Sequence, residues 1–424
     1  MSDLKRSWLE SANSADCPFP LNNLPYGVFS VGDGAMSCGV AIGDRILDVT
    51  GLEQQGILRA DPDADVLDVP YWNDFMELGP KAWSVYRAKL EALLAEDADE
   101  ATQDLCMTYS TPLAAADLHM PFRVVEFTDF YAGKHHAMNV GTMFRGPENA
   151  LPPNWLHIPI GYNGRASTVV VSGTDITRPN GQTKAPDAEL PSFGPCKRLD
   201  IELEMGAVIG SASSMGEPIS VAQADEMIFG YVLLNDWSAR DIQAWEYQPL
   251  GPFQAKAFAT SISPWIVTKT ALEPFRTSTP EREKDLLPYL QEPGPMLYDI
   301  DLAVTMAPVG KPETTIARTN YREMYYSAAQ QLAHHASSGC AMNTGALIGS
   351  GTISGVEKNQ RGSLLELTWA GKEPITLDSG ETRTFIEDGD TLKLEGAAKG
   401  DGYQVGVGSC TSTILPARPF PPKD

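Results

Sequence analysis

The stretch LDIELEMGAVIG, residues 199–210, is the clearest guide to the fold. Because side chains alternate along a strand, Leu199, Ile201, Leu203 and Met205 share one face, while Asp200, Glu202 and Glu204 share the other. Like charges on one strand face repel each other, and in a partly buried site they need a counter-ion. On this pattern alone, an amphipathic strand with a solvated acidic face explains the segment equally well.

Short strand patterns separated by Gly and Pro dominate the chain from residue 119 to the C-terminus. Further examples are STVVVSG (167–173), MIFGYVLLND (227–236), SLLELTW (363–369), DTLKLEG (390–396) and YQVGVG (403–408). Helical patterns are fewer, chiefly WSARDIQAWEY (237–247) and REMYYSAAQQLAHHA (322–336). We therefore predict a mostly β (α+β) fold built on a sheet or roll, and not a doubly wound α/β fold.

The N-terminal part of the chain is predicted to form a smaller unit of its own. GVAIGDRILDV (39–49) is typical of a β-hairpin that turns at Gly43, where glycine permits the backbone conformation of the turn. Pro80 is placed to open a helix whose apolar residues recur at helical spacing. A chain of 424 residues favours two domains, which we place at 1–118 and 119–424.

Composition and charge limit the possible partners. The chain has 32 basic and 55 acidic side chains, and its net charge of -23 disfavours binding to nucleic acid. The six cysteines include no C-x-x-C pair, which excludes zinc ribbons and thioredoxin-like chemistry and favours a reducing compartment. No segment is typical of a signal peptide or a membrane helix. We expect a soluble, cytoplasmic protein with no membrane partner.

A polar arrangement unlike a core stripe follows the strand pattern 227–236. Asp236 ends that pattern where a helix is predicted to begin. Arg240, Gln243 and Tyr247 then recur at helical spacing and are predicted to share one face with Asp236. An exposed helix with an Asp–Arg pair is the alternative interpretation.

A third cluster lies in EFTDFYAGKHHAMNVGTMFRG, residues 126–146. If the start of this segment is extended, Asp129 and Tyr131 point the same way. His135 and His136 are adjacent, so at most one of them faces a given site. Isolated histidines are more often structural than catalytic, and only the neighbours of His136 set it apart from that default.

Taken in order, several segments resemble signatures of the fumarylacetoacetate hydrolase family. They are TDFY, HHAMNVGTMFRG, NWLHIPIGYNGRAS, LDIELEM, NDWSARDIQAWEYQPLGPF, SGTISG and GDGYQVGVG. The resemblance runs from residue 119 to the C-terminus, and more weakly through the N-terminal unit. It implies a small N-terminal SH3-like barrel, a larger C-terminal β-roll that binds metal and carries catalysis, and a homodimer.

The activity implied by the resemblance is hydrolysis of the carbon–carbon bond of 4-fumarylacetoacetate, a small diketo acid, to fumarate and acetoacetate. This is the last step of tyrosine and phenylalanine catabolism. The implied metal ligands are Asp129, Glu202, Glu204 and Asp236, with Lys256 and Thr260 as further metal-linked positions. Four carboxylates without His or Cys suit a hard cation, Ca²⁺ or Mg²⁺. Since a protonated lysine cannot coordinate a cation, we interpret Lys256 as a charge beside the metal.

The resemblance also assigns catalytic and substrate-binding residues. His136 matches the base that activates water, and Glu366, placed on the strand predicted at 363–369, matches its orienting partner. Arg240, Gln243 and Lys256 are the candidates for stabilising the oxyanion. The implied substrate contacts are Tyr131, Arg145, Tyr162, Gln243, Tyr247 and Thr352.

Two alternatives remain open. The acidic cluster is shared across the superfamily, so an acylpyruvate hydrolase or an oxaloacetate decarboxylase is the alternative enzyme. A calcium-dependent binding or structural protein is the non-enzymatic alternative. It predicts calcium-dependent melting without turnover and no role for His136.

Overall fold

The computed structural model describes residues 3–420; the ends of both predicted domains, 1–2 and 421–424, lie outside the described residues. In chain order its strands are β1 (Tyr26–Ser30), β2 (Ser37–Ile42), β3 (Arg45–Asp48), β4 (Ser110–Pro112), β5 (Asp117–His119), β6 (Glu126–Phe130), β7 (Gly161–Asn163), β8 (Val169–Val171), β9 (Ile176–Thr177), β10 (Asn180–Thr183), β11 (Ser192–Pro195), β12 (Leu199–Asp200), β13 (Leu203–Ile209), β14 (Ile228–Asp236), β15 (Ser238–Ala239), β16 (Thr260–Ile262), β17 (Val267–Thr268), β18 (Arg276–Thr277), β19 (Leu297–Tyr298), β20 (Asp301–Ala307), β21 (Thr314–Asn320), β22 (Ala346–Gly349), β23 (Ile375–Thr376), β24 (Thr382–Arg383), β25 (Thr391–Lys399) and β26 (Gln404–Leu415). Its α-helices are α1 (Val49–Gln54), α2 (Asn73–Glu77), α3 (Gly79–Leu94), α4 (Glu100–Thr108), α5 (Lys134–Arg145), α6 (Val221–Met227), α7 (Arg240–Glu246), α8 (Gln254–Ala257), α9 (Lys269–Leu272), α10 (Ala328–Ala336) and α11 (Leu364–Leu367).

The N-terminal unit is built on a five-stranded antiparallel sheet in the order β4-β3-β2-β1-β5. The predicted hairpin is confirmed, because β2 pairs with β3 and Gly43 occupies the turn at a φ of +56°. The predicted helix is α3, which has Pro80 in its first turn and buries Tyr86 and Leu90. This strand pairing does not by itself amount to a closed barrel.

The central sheet has eight strands in the order β7-β6-β22-β13-β14-β16-β8, with β17 beside β14. Every residue of β13 and β14 is buried, because both faces of the sheet are covered. Tyr231 and Leu233 belong to the main core, while Val232 and Leu234 belong to a core shared with the N-terminal unit. These features confirm a sheet-rich mixed α/β architecture.

A second large sheet, β21-β20-β25-β26-β9, completes the main core. Val405 and Val407 of β26 belong to the same core as Leu233 of β14. The remaining strands form the pairs β10–β11, β12–β15, β18–β19 and β23–β24. Among residues 3–420, no helix has the length and apolar character needed to cross a bilayer.

The N-terminal unit packs directly on β14, the strand that ends at Asp236. Tyr26 donates its N–H to Ile266 O at 2.9 Å, and Ile266 N–H donates to Tyr26 O at 2.8 Å. Phe229 of β14 meets the rings of Tyr26 and Trp83 edge-on, with centroids 5.4 and 5.0 Å apart. Such aromatic pairs favour edge-to-face geometry. The N-terminal unit therefore packs against the strand on which an acidic residue of the predicted site lies.

The strand predicted at SLLELTW is wrong, because residues 364–367 form the single turn of helix α11. The Ser363 side chain accepts the Glu366 N–H at the N-terminus of this turn, a preferred role for serine. Trp369 and Ala370 then take positive φ values of 48° and 59°, which turn the chain away. Local capping therefore outweighs the strand propensity of the apolar residues.

The continuous strand predicted at 199–205 is interrupted, since β12 ends at Asp200 and β13 begins at Leu203. The helix predicted at 237–247 begins only at Arg240, because Ser238 and Ala239 pair with β12. The helix predicted at 322–336 likewise begins at residue 328. Both helices start later than their sequence patterns, because Ser238 and Ala239 pair with a strand before α7 and Ser327 caps α10.

Candidate metal centre and active site

Four buried carboxylates meet at one end of the central sheet. Each of Asp129, Glu202, Glu204 and Asp236 offers one oxygen, and these oxygens all lie within 4.8 Å of one another. The acidic face of 199–205 is therefore not solvated, because Glu202 and Glu204 are only 6% and 0% exposed. The structure brings together all four of the carboxylates predicted as metal ligands.

Strand order explains why these residues meet. By alternation along their strands, Asp129 shares a face with Phe127 and Asp236 shares a face with Leu234. Phe127 and Leu234 both belong to the core shared with the N-terminal unit. The strands that carry Asp129, Glu204 and Asp236 lie in the order β6-β22-β13-β14, so only β22 intervenes.

Gly349 is the residue of β22 that faces this cluster, paired with Asp129 of β6. A Cβ atom built on Gly349 would lie 2.6 Å from Asp129 Oδ1 and 2.9 Å from Glu204 Oε2. Real Cβ atoms do not approach other atoms so closely, so the glycine makes room for the two carboxylates. Its role was not predicted from the sequence, although a glycine ending an apolar strand signals a close approach.

Two cationic side chains neutralise part of the cluster. Lys256 Nζ lies 2.5 Å from Glu202 Oε2 and 2.6 Å from Asp236 Oδ2, and Arg240 Nη1 lies 2.7 Å from Glu202 Oε1. Burial raises the pKa of Glu202, but Lys256 and Arg240 outweigh it and hold this pKa at about 2. Burial lowers the pKa of Lys256, but Asp236 and Glu202 raise it above its usual value. Glu202 and Lys256 therefore both carry charge.

Asp129 and Glu204 lack such compensation. Within residues 3–420, neither forms an ion pair with a lysine or arginine, and Asp129 Oδ1 and Glu204 Oε1 are buried without a hydrogen-bond partner. Burial, followed by the negative charge of neighbouring carboxylates, raises the pKa of both groups well above its usual value. Orphaned carboxylate oxygens in an all-oxygen site fit a hard divalent cation.

Two further side chains hold Asp236 in place. Tyr162 of β7 donates its hydroxyl to Asp236 Oδ2 at 2.9 Å, and Thr260 of β16 donates to Asp236 Oδ1 at 3.0 Å. Thr260 pairs with Asp236 across β14 and β16, which explains why its side chain lies on the same face. Tyr162 and Thr260, predicted as a substrate contact and a metal-linked position, thus both contact an acidic residue of the cluster.

The buried His136 lies in the first turn of α5, with its two ring nitrogens in different surroundings. Its Nδ1 is 2.7 Å from Glu366 Oε2, and its Nε2 is 3.4 Å from Thr352 Oγ1. The Tyr131 ring meets the imidazole edge-on, with centroids 5.5 Å apart. A carboxylate at Nδ1 favours the tautomer with the proton there, so Nε2 is the nitrogen free to accept a proton.

Glu366 is fully buried and held by several donors besides His136. Asn139 Nδ2 donates to Oε1 at 2.9 Å, while Ser354 and Ser363 donate to Oε2 at 3.0 and 2.8 Å. Burial raises the pKa of Glu366, but His136 and these hydrogen bonds outweigh it and lower the pKa below its usual value. Asn139 was missed, although it follows His136 by three residues on a helix and so shares its face.

The guanidinium of Arg240 is buried beside the carboxylates. Its Nε donates to Asp200 at 2.8 Å, and its Nη1 donates to Glu202 at 2.7 Å and to Gln243 Oε1 at 3.2 Å. Its Nη2 is buried and has no hydrogen-bond partner in the described part of the chain. Arg240 thus presents a free N–H donor beside the candidate metal centre.

Among the described residues, no hydrogen bond or ion pair joins Arg145 or Tyr247 to the four carboxylates, to Arg240 or to the His136–Glu366 pair. Arg145 Nε and Nη2 donate to the carbonyl oxygens of Asn149 and Ala150 at 3.1 and 2.6 Å. Tyr247 is 47% exposed just beyond the end of α7. The face predicted to run from Asp236 to Tyr247 does not form as one helix, because the helix begins at Arg240.

A cavity of about 880 Å³ lies elsewhere, between the N-terminal unit and the second large sheet. Trp265, Arg318 and Gly396 are among its lining residues, and no predicted site residue is. The candidate active site is therefore identified by its buried ionisable groups, which cluster at functional sites, and lies outside this cavity.

Comparison with protein families gives two matches that together span most of the chain. Residues 126–415 match the model described as fumarylacetoacetate (FAA) hydrolase C-terminal, and residues 22–121 match fumarylacetoacetase N-terminal. Among curated proteins, the chain is 48% identical to the fumarylacetoacetases of Bos taurus and Homo sapiens, covering 96% and 95% of this chain and 98% and 97% of those proteins. It is 46% identical to the Arabidopsis thaliana fumarylacetoacetase, over 96% of this chain and 97% of that protein.

Solved structures share the fold at much lower identity. The fumarylacetoacetate hydrolase from Exiguobacterium antarcticum gives a TM-score of 0.51 at 17% identity, covering 93% of this chain and all of that one. A putative HpcE protein from Mycobacterium smegmatis gives 0.53 at 18% identity, covering 92% and 99%.

Proposed function

This chain belongs to the fumarylacetoacetate hydrolase family, and on that premise we propose that it hydrolyses the carbon–carbon bond of 4-fumarylacetoacetate to fumarate and acetoacetate. This would make it a hydrolase of tyrosine and phenylalanine catabolism. The observation that carries the proposal is the buried His136–Glu366 pair beside four carboxylates. A protein that merely bound a cation would have no use for an oriented histidine.

We propose that Asp129, Glu202, Glu204 and Asp236 hold Ca²⁺ or Mg²⁺, with Lys256 and Thr260 beside it. The support is the all-oxygen donor set and the orphaned oxygens of Asp129 and Glu204. When bound, such a cation supplies a Lewis acid for the diketo oxygens and so favours departure of the leaving carbon as an enolate. Lys256 adds a fixed positive charge that helps to hold an anionic substrate in a protein of net charge -23.

His136 acts as the general base. Its Nε2 takes a proton from a water molecule whose oxygen attacks the substrate carbonyl next to the bond that breaks. Glu366 holds the Nδ1 proton and stabilises the imidazolium that forms. After the carbon–carbon bond breaks, the proton on Nε2 passes to the carbon of the departing enolate, which restores the base.

Arg240, Gln243 and Lys256 stabilise the oxyanion that the attack creates. The Nη2 of Arg240 is available for this, since it has no partner among the described residues while Nε and Nη1 are already engaged. One such donor is typically worth about 3–4 kcal/mol of barrier.

We propose that the substrate itself contacts six side chains: Tyr131, Arg145, Tyr162, Gln243, Tyr247 and Thr352. Arg145 must release the carbonyl oxygens of Asn149 and Ala150 to bind a substrate carboxylate. Arginine suits that contact because its guanidinium matches a carboxylate with two parallel hydrogen bonds.

The test is loss of the ultraviolet absorbance of fumarylacetoacetate, followed with and without a chelator, with acylpyruvates as competing substrates. We expect turnover of fumarylacetoacetate that the chelator abolishes. His136→Ala should remove turnover and keep cation binding, while His119→Ala, which alters a histidine bound to Ser30 in the N-terminal sheet, should change neither. Preference for an acylpyruvate, or full activity of His136→Ala, would refute the proposal.

Four further proposals rest on the sequence alone or on the family resemblance. They are a division into domains at residues 118 and 119, an SH3-like closure of the N-terminal sheet, a homodimer and a cytoplasmic location. Light scattering would test the dimer, since a monomeric mass at micromolar concentration would contradict it.

A further inference from the structure

Asp200 is the acidic residue of the LDIELEM segment that the metal centre does not use. It is fully buried and ends β12, just before the interruption that brings Glu202 into the cluster. A buried carboxylate is costly unless it is hydrogen-bonded and paired, so its retention at this position calls for a reason.

Both oxygens of Asp200 are engaged. Oδ1 accepts the N–H groups of Ile201 at 2.8 Å and Leu364 at 2.7 Å. Oδ2 accepts the N–H of Leu365 at 3.0 Å and Nε of Arg240 at 2.8 Å. One rigid group therefore connects two separate parts of the chain.

These two parts are the two halves of the proposed catalytic machinery. Leu364 and Leu365 open the turn α11, and their N–H groups have no partner within so short a helix, so the carboxylate completes it. The next residue in α11 is Glu366, which holds His136. The other connection leads to Arg240, whose free Nη2 is the proposed oxyanion donor.

We propose that Asp200 is a positioning residue that sets the Arg240 guanidinium and the Glu366–His136 pair at a fixed separation. This inference rests on the proposed function. Without Asp200, Arg240 keeps Glu202 and Gln243 as partners at Nη1 alone and can pivot about that end. At the same time α11 loses the acceptor for its first N–H groups. Displacement of a catalytic group by about 1 Å costs on the order of 10²-fold in rate.

The variant Asp200→Asn tests this directly. Asparagine keeps the shape but has one acceptor oxygen, so its amide must point N–H donors at Arg240 or at the backbone N–H groups of Leu364 and Leu365. We expect kcat for fumarylacetoacetate to fall about 10²-fold with KM within about twofold, because the misplaced groups act in the transition state. Asp200→Glu, which keeps the charge but moves the carboxylate by one methylene, should likewise lower kcat and leave KM nearly unchanged.

Asp390→Asn is the matched control. Asp390 is also buried, accepts Nε and Nη2 of Arg383 at 2.9 Å each, and accepts the Glu387 N–H at 2.9 Å. It should lower the melting temperature and leave kcat and KM unchanged. All rates are expressed per mole of folded enzyme, and the amount of folded enzyme is measured as the number of cation-binding sites in a calorimetric titration.

The outcomes distinguish failure of the positioning role of Asp200 from failure of the proposed function. If the wild type turns over fumarylacetoacetate and either Asp200→Asn or Asp200→Glu keeps the wild-type kcat, only the positioning role is overturned. An Asp200 variant whose loss of kcat is matched by Asp390→Asn also overturns it, since the effect would then be structural. Wild type without turnover of fumarylacetoacetate overturns the proposed function and this inference together.

Discussion

Gly349→Ala is the substitution that most directly probes the candidate metal centre. The new Cβ would meet Asp129 Oδ1 at 2.6 Å and Glu204 Oε2 at 2.9 Å, so both carboxylates must move. Gly349 is not among the positive-φ glycines, so its backbone accepts alanine. The atoms that must give way are the ends of side chains, and the fold should therefore survive while the ligand geometry does not.

The expected loss of cation affinity follows from how little displacement of their ligands metal sites tolerate. Ca²⁺ ligands lie at about 2.3–2.6 Å, and disturbing the groups that orient ligands typically costs about 10–100-fold in affinity. That range corresponds to about 1.4–2.8 kcal/mol. Replacing a strand glycine with alanine stabilises the backbone by about 0.5–1 kcal/mol, so cation-free stability should stay within about 1 kcal/mol of wild type.

Calorimetric titration with Ca²⁺ and with Mg²⁺ measures the affinity, and urea unfolding in chelator measures the stability. Gly194→Ala is the control, because Gly194 also lies in a strand and its added Cβ would meet nothing within 4 Å. Unchanged affinity of Gly349→Ala for both cations would refute the assignment of Gly349 as the residue that makes room for the ligands. The assignment would also be refuted if Gly349→Ala and the control Gly194→Ala lost the same amount of cation affinity.

Two further predictions concern ionisation. Glu366→Gln should lower kcat by about 10²–10⁴-fold, because an amide cannot stabilise the imidazolium. The lowered pKa of Glu366 means that its carboxylate stabilises the fold at neutral pH and that this contribution is lost as the pH falls through that pKa; acid unfolding of Glu366→Gln should lack this step. Asp129 and Glu204 have raised pKa values, so protonation stabilises the cation-free fold and chelated protein should lose stability as the pH rises through those values. Calorimetry in buffers of different ionisation enthalpy should detect proton release on cation binding, and its absence would contradict the raised pKa values.

Sequence patterns predicted much of the architecture because strands and hairpins have local signatures. The hairpin that turns at Gly43, the helix opened by Pro80 and the strand that ends at Asp236 all form as predicted. The strand predicted around Glu366 fails for an equally local reason, since Ser363 caps a helical turn there. Apolar periodicity over seven residues cannot distinguish these outcomes when a capping residue precedes the run.

The site was predictable only in part from the chain itself. Alternation marked Glu202 and Glu204 as unusual, and the end of a strand marked Asp236. Asp129 and Glu366 were assigned by family resemblance, because their partners lie far away in sequence: His136 and Glu366 are 230 residues apart. Gly349, Asn139 and Asp200 received no role, since each acts through a neighbour that only the folded chain provides.

The acidic segment 199–205 shows which features the sequence determines and which depend on the tertiary structure. By itself, the sequence determined the alternation of apolar residues and carboxylates and predicted one unbroken strand, because side-chain alternation is a property of the local backbone. Only the tertiary structure decided the fate of each carboxylate. The break after Asp200 turns it towards Arg240 and α11, while the strand order β6-β22-β13-β14 places Glu204 beside Asp129 with Gly349 between them. Pairing between distant strands sets those neighbours, and no local pattern encodes it.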